Sequence, residues 1–332
     1  MRTRIIATLG PASDTEDVLG AMVAAGMTFA RLNFSHGDHA EHRRRADLVR
    51  HAAKSLGRTV DLIQDLQGPK IRTVHVPQTQ LHIGDLLSLG APGQANVIPI
   101  SEPAVLTGVQ AGQRIYLDDG AIELEVTRVQ PGSVDCRVLV GGPIEGNEGV
   151  VFPSSAIDLP ALTERDIDDL AVGRDLAVEW VALSFVQRPE DIDALRQRID
   201  WDARIIAKIE TAAALDHLDA IVERSDAVMV ARGDLGVAIR RARVPLVQKD
   251  ILYSCRQRSV HGIVATEMLL SMVQHSHPTR AEVGDVATAV LDGCHAVMLS
   301  EETAIGAYPT LAVAEMREII ETVEASPYYV WD

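Results

Sequence analysis

Residues 204–234 read RIIAKIETAAALDHLDAIVERSDAVMVARGD, and this stretch decides the fold. Residues 204–209 form a short apolar run rich in β-branched side chains, closed by Lys208-Ile209-Glu210. Residues 227–231 form a second such run, closed by Arg232-Gly233-Asp234. An amphipathic segment of helical period separates them. Strand, helix, strand, with charge gathered at the carboxyl end of each strand, is the repeating unit of a parallel sheet. The unit recurs in both directions, with strand candidates at 3–9, 28–33, 60–65, 179–185, 262–266 and 296–299. Helix-start signals fall between them: capping-box spacings from Ser13 to Glu16 and from Thr279 to Glu282, and Pro189 ahead of 190–199. Strand then helix, eight times, predicts an α/β fold of (β/α)8 TIM-barrel type. Periodicity does not distinguish a closed from an open sheet, so a doubly wound open sheet fits the same alternation.

The rhythm breaks once, after Arg72. Runs at 114–117, 121–129 and 134–140 are joined by Asp118-Asp119-Gly120 and Pro131-Gly132 and followed by Gly141-Gly142, with no helical period. The expected organisation is residues 1–73 as the first part of the barrel, 74–156 as an inserted small all-β domain or lid, and 157–332 as the second part. Removing the insert leaves 249 of 332 residues, close to the roughly 250 of a TIM barrel.

Composition sets outer limits. With 47% hydrophobic and 23% charged residues the chain is globular rather than disordered. A formal charge of -16 repels a phosphate backbone, which argues against nucleic acid as a partner. Cys136, Cys255 and Cys294 are far apart, fitting buried thiols in a reducing compartment rather than a disulfide or zinc framework. No window reaches the apolar length of a membrane span, and the first apolar stretch is too short for a signal peptide. The expectation is a cytoplasmic protein with no membrane partner.

A barrel builds its active site at the carboxyl ends of its strands. The polar residues ending each run are Arg31, Asn33, Ser35 and His36; Asp65, with Lys70 and Arg72 just beyond; Ser184; Lys208 and Glu210; Arg232 to Asp234; Thr266 and Glu267; and Ser300 to Thr303. Glu210 and Asp234, from neighbouring strands, suit a divalent cation that keeps several waters, the usual habit of Mg2+. Arg31, Arg72 and Lys208 supply charge for an anionic substrate. A buried Lys-x-Glu is equally a structural ion pair, and spacing alone leaves that open.

Longer segments narrow the choice. They are RTRIIATLGPAS (2–13), GMTFARLNFSHG (26–37), GPKIRT (68–73), LPALTERD (159–166), AKIE (207–210), MVARGDLG (229–236), ATEML (265–269), PTRAE (278–282) and AVLDGCHAVMLSEETAIG (289–306). In order and spacing they resemble the pyruvate kinase family from the first residues to the last, including a β domain inserted after the third strand. The resemblance implies transfer of the phosphoryl group of phosphoenolpyruvate to ADP, giving pyruvate and ATP, with Mg2+ or Mn2+ as cofactor. It implies Lys208, Thr266 and Arg31 as catalytic residues. Arg31, Arg72, Lys208, Gly233, Asp234 and Thr266 are implied to bind substrate, and Pro11, Asn33 and His36 to bind nucleotide. Glu210 and Asp234 are implied as Mg2+ ligands. Asn33, Ser35 and Asp65 match a monovalent-cation site, and Lys70 matches the branch whose lysine replaces that ion, so potassium is not expected to be required.

The chain also departs from the pattern. Where the family's β domain carries a lysine-glycine pair that meets nucleotide phosphate, this chain reads Gly146-Asn147-Glu148-Gly149-Val150. A unit charge about 4 Å from a phosphate is worth roughly 1 kcal/mol in water-like surroundings and about 4 at an effective dielectric near 20. Reversal at Glu148 is therefore expected to weaken ADP binding unless the side chain swings to solvent. Ile305 replaces a second lysine, and Glu267 stands where glutamine is usual. The chain stops at Asp332 without the family's further carboxy-terminal domain, so the expectation is no effector site of that kind and at most a barrel-to-barrel homodimer.

Two rivals accompany the kinase reading. One keeps the enolate chemistry without ADP, as a keto-acid lyase or decarboxylase or a transferase to another acceptor; the other is a non-catalytic phosphoenolpyruvate sensor. The repeat His36, His39, His42 places imidazoles at helical spacing, but a metal site needs a second element, and His39 and His42 fit a solvated helix start. Arg240, Arg241 and Arg243 read as a wet surface within reach of a second substrate.

Overall fold

The computed structural model describes residues 1–153 and 159–329. Eight strands, β1 (Arg4–Thr8), β2 (Phe29–Asn33), β3 (Asp61–Asp65), β4 (Trp180–Leu183), β5 (Arg204–Ile209), β6 (Ala227–Ala231), β7 (His261–Ala265) and β8 (Ala296–Leu299), lie within two residues of their expected positions. Each pairs in parallel with the next, and β8 closes on β1 through Arg4 opposite Ala296 and Ile5 opposite Val297. The sheet is closed, which removes the open doubly wound alternative.

Alternate side chains point to opposite faces of a strand, and the barrel uses this to sort chemistry by height. Ile6, Ile63, Ala182, Ile206, Met229, Ile263 and Met298 meet in one interior apolar cluster. The intervening residues, such as Ile5, Leu62, Val181 and Ile205, belong to a second cluster that takes in the surrounding helices. On the interior face, one step above the plug come Thr8, Arg31, Asp65 and Lys208. One step below come Arg4, Asp61, Arg204 and His261. A two-residue period thus puts charge at both ends of a dry middle.

Helix starts follow their caps. Thr279 and Glu282 make the expected reciprocal box, and Pro189 occupies the first turn of Pro189–Arg196, where its missing N–H costs nothing. The expected Ser13 box is corrected. Ser13 belongs to a short 3-10 turn, where its hydroxyl accepts from Gly10 N–H at 3.1 Å, and Thr15 caps Glu16–Ala25 instead. Gly10 is obligatory there, because a Cβ would lie 2.5 Å from the Ala304 carbonyl oxygen. The three cysteines are free and buried; burial pushes the thiols of Cys136 and Cys255 up to about 12 and that of Cys294 higher still.

Between β3 and β4 the chain leaves the barrel to build a six-stranded sheet with its own core around Leu89, Ile115, Leu124, Val134 and Val138. Its centre is the long hairpin Ile122–Gln130 with Ser133–Val140, close to the ranges read from sequence. Leu86–Gly90 and Ile98–Pro99 extend it on one side, Arg114–Leu117 and Val150–Val151 on the other. The expectation of no helical turn is corrected by a 3-10 segment at Pro103–Gly108. Asp118, Asp119 and Gly120 all take positive φ, the tight turn expected of them. The expected boundary at 156/157 falls outside the described residues.

Candidate active site

Strand β5 sends Ile206 into the apolar plug and Lys208, two residues on, into the mouth above it. Lys208 is 8% exposed, yet its ammonium has three oxygen partners: Ser184 Oγ at 2.7 Å, Glu210 Oε1 at 3.0 Å and Asp65 Oδ1 at 3.1 Å. Asp65 is shared, because its Oδ2 accepts from Arg31 Nε at 2.6 Å, while Arg31 Nη1 donates to Thr8 Oγ1 at 3.1 Å. The other oxygen of Glu210 accepts from the Phe185 N–H at 2.8 Å.

Charge bookkeeping explains the protonation states. Burial alone would raise the Asp65 carboxyl, but Lys208 and Arg31 outweigh it and hold Asp65 below the usual carboxylate range. Burial alone would lower Lys208, but Asp65 and Glu210 outweigh it and hold the ammonium charged above its ordinary value. Glu210 goes the other way: burial lifts its pKa, Asp234 adds to the lift, and Lys208 only partly opposes it. Arg31 and Lys208 thus meet Asp65 and Glu210, while Asp234, whose charge adds to the lift on Glu210, is itself met by Lys70 at 3.4 Å. The neighbouring carboxylates Glu210 and Asp234 fit a divalent cation that takes its remaining oxygens from substrate and water. Among the described residues no group of three or more His, Cys, Asp or Glu forms a denser metal cluster.

Two strands along from β5, Thr266 follows β7 with φ of +72° and Glu267 with φ of +54°, a conformation a β-branched residue rarely adopts. The Thr266 hydroxyl donates to the Ala265 carbonyl at 2.6 Å and accepts from Gly233 N–H at 2.9 Å. Arg232 supports this turn, donating to the Thr266 carbonyl at 2.6 Å and pairing with Asp285 at 2.7 Å. Its guanidinium is therefore a strut, and Gly233 N–H is already engaged by Thr266.

The inserted sheet reaches the mouth from above. Arg72 Nη1 donates to the Asn147 carbonyl at 2.8 Å, and Lys70 Nζ lies 3.4 Å from Asp234 Oδ1 and 3.9 Å from Asp119 Oδ1. Arg241 donates to the Asp119 carbonyl at 3.2 Å, so one of the three clustered arginines does border the site. Lys70, Asp119, Asp234, Arg241 and Thr266 line one cavity of about 480 Å³. Glu148 does not swing free. It is half-buried, its backbone N–H bonds Thr73 Oγ1 at 2.9 Å, and burial together with Asp118, Glu145 and Asp119 raises its carboxyl pKa.

Other expected residues divide. Asn33 pairs in register with Asp65, but its Oδ1 accepts from Ser35 N–H at 3.2 Å, and the ion pairs of Lys70 go to Asp234 and Asp119 rather than to Asp65. His36 is close enough to Arg72, Arg31 and Lys70 that, after burial, their charges lower its pKa. Pro11 is exposed and opens the short turn after β1, whose Ser13 is buried. The solvated helix-start reading holds for His39, which is exposed at the first position of its helix, and is corrected for His42. His39 bonds Asp169 at 2.6 Å, and His42 is 2% exposed, stacked on Phe34 at 4.1 Å. His36 precedes the helix His39–Ser55, so the three imidazoles do not share its face. Four polar contacts had no assigned role in the sequence reading: Ser184 and Thr8, which orient Lys208 and Arg31; Arg165, which donates to the Phe34 carbonyl at 3.1 Å; and Asp119. Ser184 was among the polar residues read at strand ends and Thr8 was not; Arg165 sits in the first turn of the helix Glu164–Asp175 and meets a loop carbonyl, and Asp119 sits in a tight turn.

Comparison with known proteins places this geometry. Residues 1–313 match the family model described as pyruvate kinase, barrel domain. The chain is 45% identical to "Pyruvate kinase 2" of Synechocystis sp. over 97% of its own length and 57% of that protein's. It is 44% identical to a pyruvate kinase of Mycobacterium tuberculosis, covering 97% of this chain and 70% of that one. It superimposes on the crystal structure of a pyruvate kinase from Cryptosporidium parvum with a TM-score of 0.93 at 34% identity, covering 97% of this chain and 69% of the other.

Proposed function

Because the chain belongs to the pyruvate kinase family, we propose that it transfers the phosphoryl group of phosphoenolpyruvate to ADP, forming ATP and pyruvate. The observation that carries this reading is Lys208, buried yet held charged, 3.0 Å from a Glu210 that Asp234 leaves under-neutralised. Such a pairing places fixed positive charge beside a divalent-ion niche, which is what phosphoryl transfer requires.

The residues divide the work as follows. Arg31 and Arg72 take the substrate phosphate, and Arg31 is pre-oriented by Asp65 and Thr8. As the bond between phosphorus and the enol oxygen breaks and a bond to the terminal ADP oxygen forms, negative charge grows on the equatorial phosphoryl oxygens and on the enolate. Lys208 neutralises it without reorienting, since Ser184 and two carboxylates already fix its ammonium. Glu210 and Asp234 are the groups that would hold Mg2+ or Mn2+; the bound ion supplies Lewis-acid charge neutralisation. The enolate carbon then takes a proton on the Thr266 side. The hydroxyl is a poor acid and is fixed between Ala265 and Gly233, so it serves to hold a water that delivers the proton.

Nucleotide lies toward Pro11, Asn33 and His36. Lys70 supplies a fixed charge that makes potassium unnecessary; its place beside Asp234 supports this through the divalent side of the mouth. One observation favours a second reading: Glu148, Asp118 and Asp119 form a like-charged face where a nucleotide phosphate would approach. On that reading the enolate chemistry persists with another phosphoryl acceptor, or as keto-acid cleavage without one. Phosphorus spectra of phosphoenolpyruvate, Mg2+ and ADP with the protein separate the two. The proposal predicts nucleoside triphosphate resonances growing as phosphoenolpyruvate is lost. Loss of phosphoenolpyruvate without nucleoside triphosphate, or turnover of oxaloacetate alone, overturns it.

A further inference from the structure

The interior face that delivers Lys208 to one end of β5 delivers Arg204 to the other, four residues and about 13 Å away. Arg4 on β1 and His261 on β7 follow the same alternation, so three basic side chains rim the amino-terminal mouth. They line a cavity of about 390 Å³ together with Arg2, His295 and the rings of Phe29 and Trp180. Ile6, Ile63, Ile206 and Ile263 form its floor and separate it from the Lys208 end.

The donors are braced by rings rather than by counter-ions. The Arg204 guanidinium carbon lies 5.1 Å from the centre of the Trp180 ring. His261 stacks on His295 at 4.6 Å and lies 6.2 Å from Trp180, which meets Phe29 edge-on at 6.1 Å. Two carboxylates are near, and both are engaged. Asp61 Oδ2 accepts from Trp180 Nε1 at 3.3 Å, while Asp226 accepts from Ile205 N–H at 2.8 Å and pairs with Arg196 at 3.3 Å. Among the described residues Arg4 and Arg204 form no ion pair, as is true of Arg58, Arg72 and Arg128, but these two line the same cavity. That place sets them apart: the cavity has an apolar floor, and among its described lining residues the one carboxylate, Asp61, is bonded to Trp180.

We propose that the amino-terminal mouth is a second anion site, distinct from the Lys208 mouth, that binds a small phosphate dianion, either inorganic phosphate or a phosphomonoester. Forked guanidinium donors on two strands match the several acceptor oxygens of a phosphate better than the two of a carboxylate. The low-dielectric floor strengthens their field. An organic substituent of an ester would rest on Phe29 and Trp180. His261, whose ring faces Arg204, Asp226 and His295, reports occupancy, because a bound dianion favours its protonated form.

The test is a titration of the whole protein with inorganic phosphate, followed by the ring-proton NMR signals of His261 and His295. Saturable shifts are expected, with the His261 titration moving to higher pH. Combined Arg4→Gln and Arg204→Gln should weaken the apparent affinity by roughly tenfold or more, while Lys208→Met leaves these shifts intact. The far-ultraviolet circular dichroism and thermal midpoint of the Arg4/Arg204 variant serve as the folding control, which holds whether or not the protein turns over phosphoenolpyruvate. A repeat with glycerol 3-phosphate distinguishes the sources: tighter binding than phosphate points to an ester, equal or weaker binding to the free ion. Absence of a saturable shift, or a shift undiminished in the folded double variant, overturns the proposal.

Discussion

The carboxyl-end mouth of the barrel and the edge of the inserted sheet above it treat charge in opposite ways. In the mouth, Arg31, Asp65, Lys208 and Glu210 are at most 9% exposed, and each touches a group of opposite charge. At the sheet edge, Glu148 faces Asp118, Asp119 and Glu145, and its carboxyl is raised rather than stabilised. Burial makes an uncompensated charge expensive, so the mouth is built as a closed network. The partly wet edge tolerates like charges cheaply. On the proposed function the mouth carries the chemistry, and the like-charged edge is where the acceptor would be met.

The largest expected effect breaks the mouth. Lys208→Met should lower phosphoenolpyruvate turnover by roughly 100- to 1000-fold or more. It should also cost about 3–5 kcal/mol of stability, because Asp65 and Glu210 lose the cation between them. Steady-state rates alongside denaturant midpoints check both; an active variant of lowered stability would mean the network is scaffolding only, and a stable, active one would contradict both roles. Reversing the edge comes next. Glu148→Lys should lower the KM for ADP by roughly fivefold or more, the equivalent of at least about 1 kcal/mol, with little change in the KM for phosphoenolpyruvate. Equal changes in both would show that Glu148 acts through the fold rather than through nucleotide charge.

Lys70 joins the two regions, touching Asp234 on one side and Asp119 on the other. Turnover is expected to be unchanged by added potassium, and Lys70→Glu to make it potassium-dependent; strong activation of the native chain would contradict the role given to Lys70. The last effect bears on stability rather than turnover and concerns a buried group without compensation inside the barrel half. His42 is stacked on Phe34, and neither ring nitrogen has a hydrogen-bond partner among the described residues. Burial, then Arg45, pushes its pKa down to about 4 from 6.5. The unfolded chain takes up this proton first, so the stability is present above pH 6.5 and lost as pH falls through about 4. The loss is on the order of 3 kcal/mol. His42→Phe should flatten that limb of the pH–stability curve, measured by thermal melting, and an unchanged limb would place the acid sensitivity elsewhere.

What was legible in the sequence follows the same division. Barrel strands announce themselves because each is an apolar run ended by charge, whereas closure of β8 on β1 was left open, since an open sheet has the same alternation. Glu210 and Asp234 were visible as a pair because adjacent parallel strands bring their ends together. The inserted sheet was half legible: the hairpin around Pro131-Gly132 carries turn residues, whereas Leu86–Gly90 has no alternation to mark it. Ser13 and Thr15 are both chemically able to cap a helix, and only the turn at Gly10 decides between them. The partners of Lys70 and Glu148 were not legible, since loops set them and no periodicity constrains a loop. His42 was misread because burial of one helix face depends on Phe34, a residue outside the helix.

The most direct test of the account is pyruvate formation from phosphoenolpyruvate and Mg2+ across a range of ADP, in the native chain and in Glu148→Lys. Pyruvate formation that requires ADP in both, at lower ADP in the variant, is the predicted result. Pyruvate formed at the same rate without ADP, or none in either protein, would contradict ADP as the acceptor served by the Lys208 mouth.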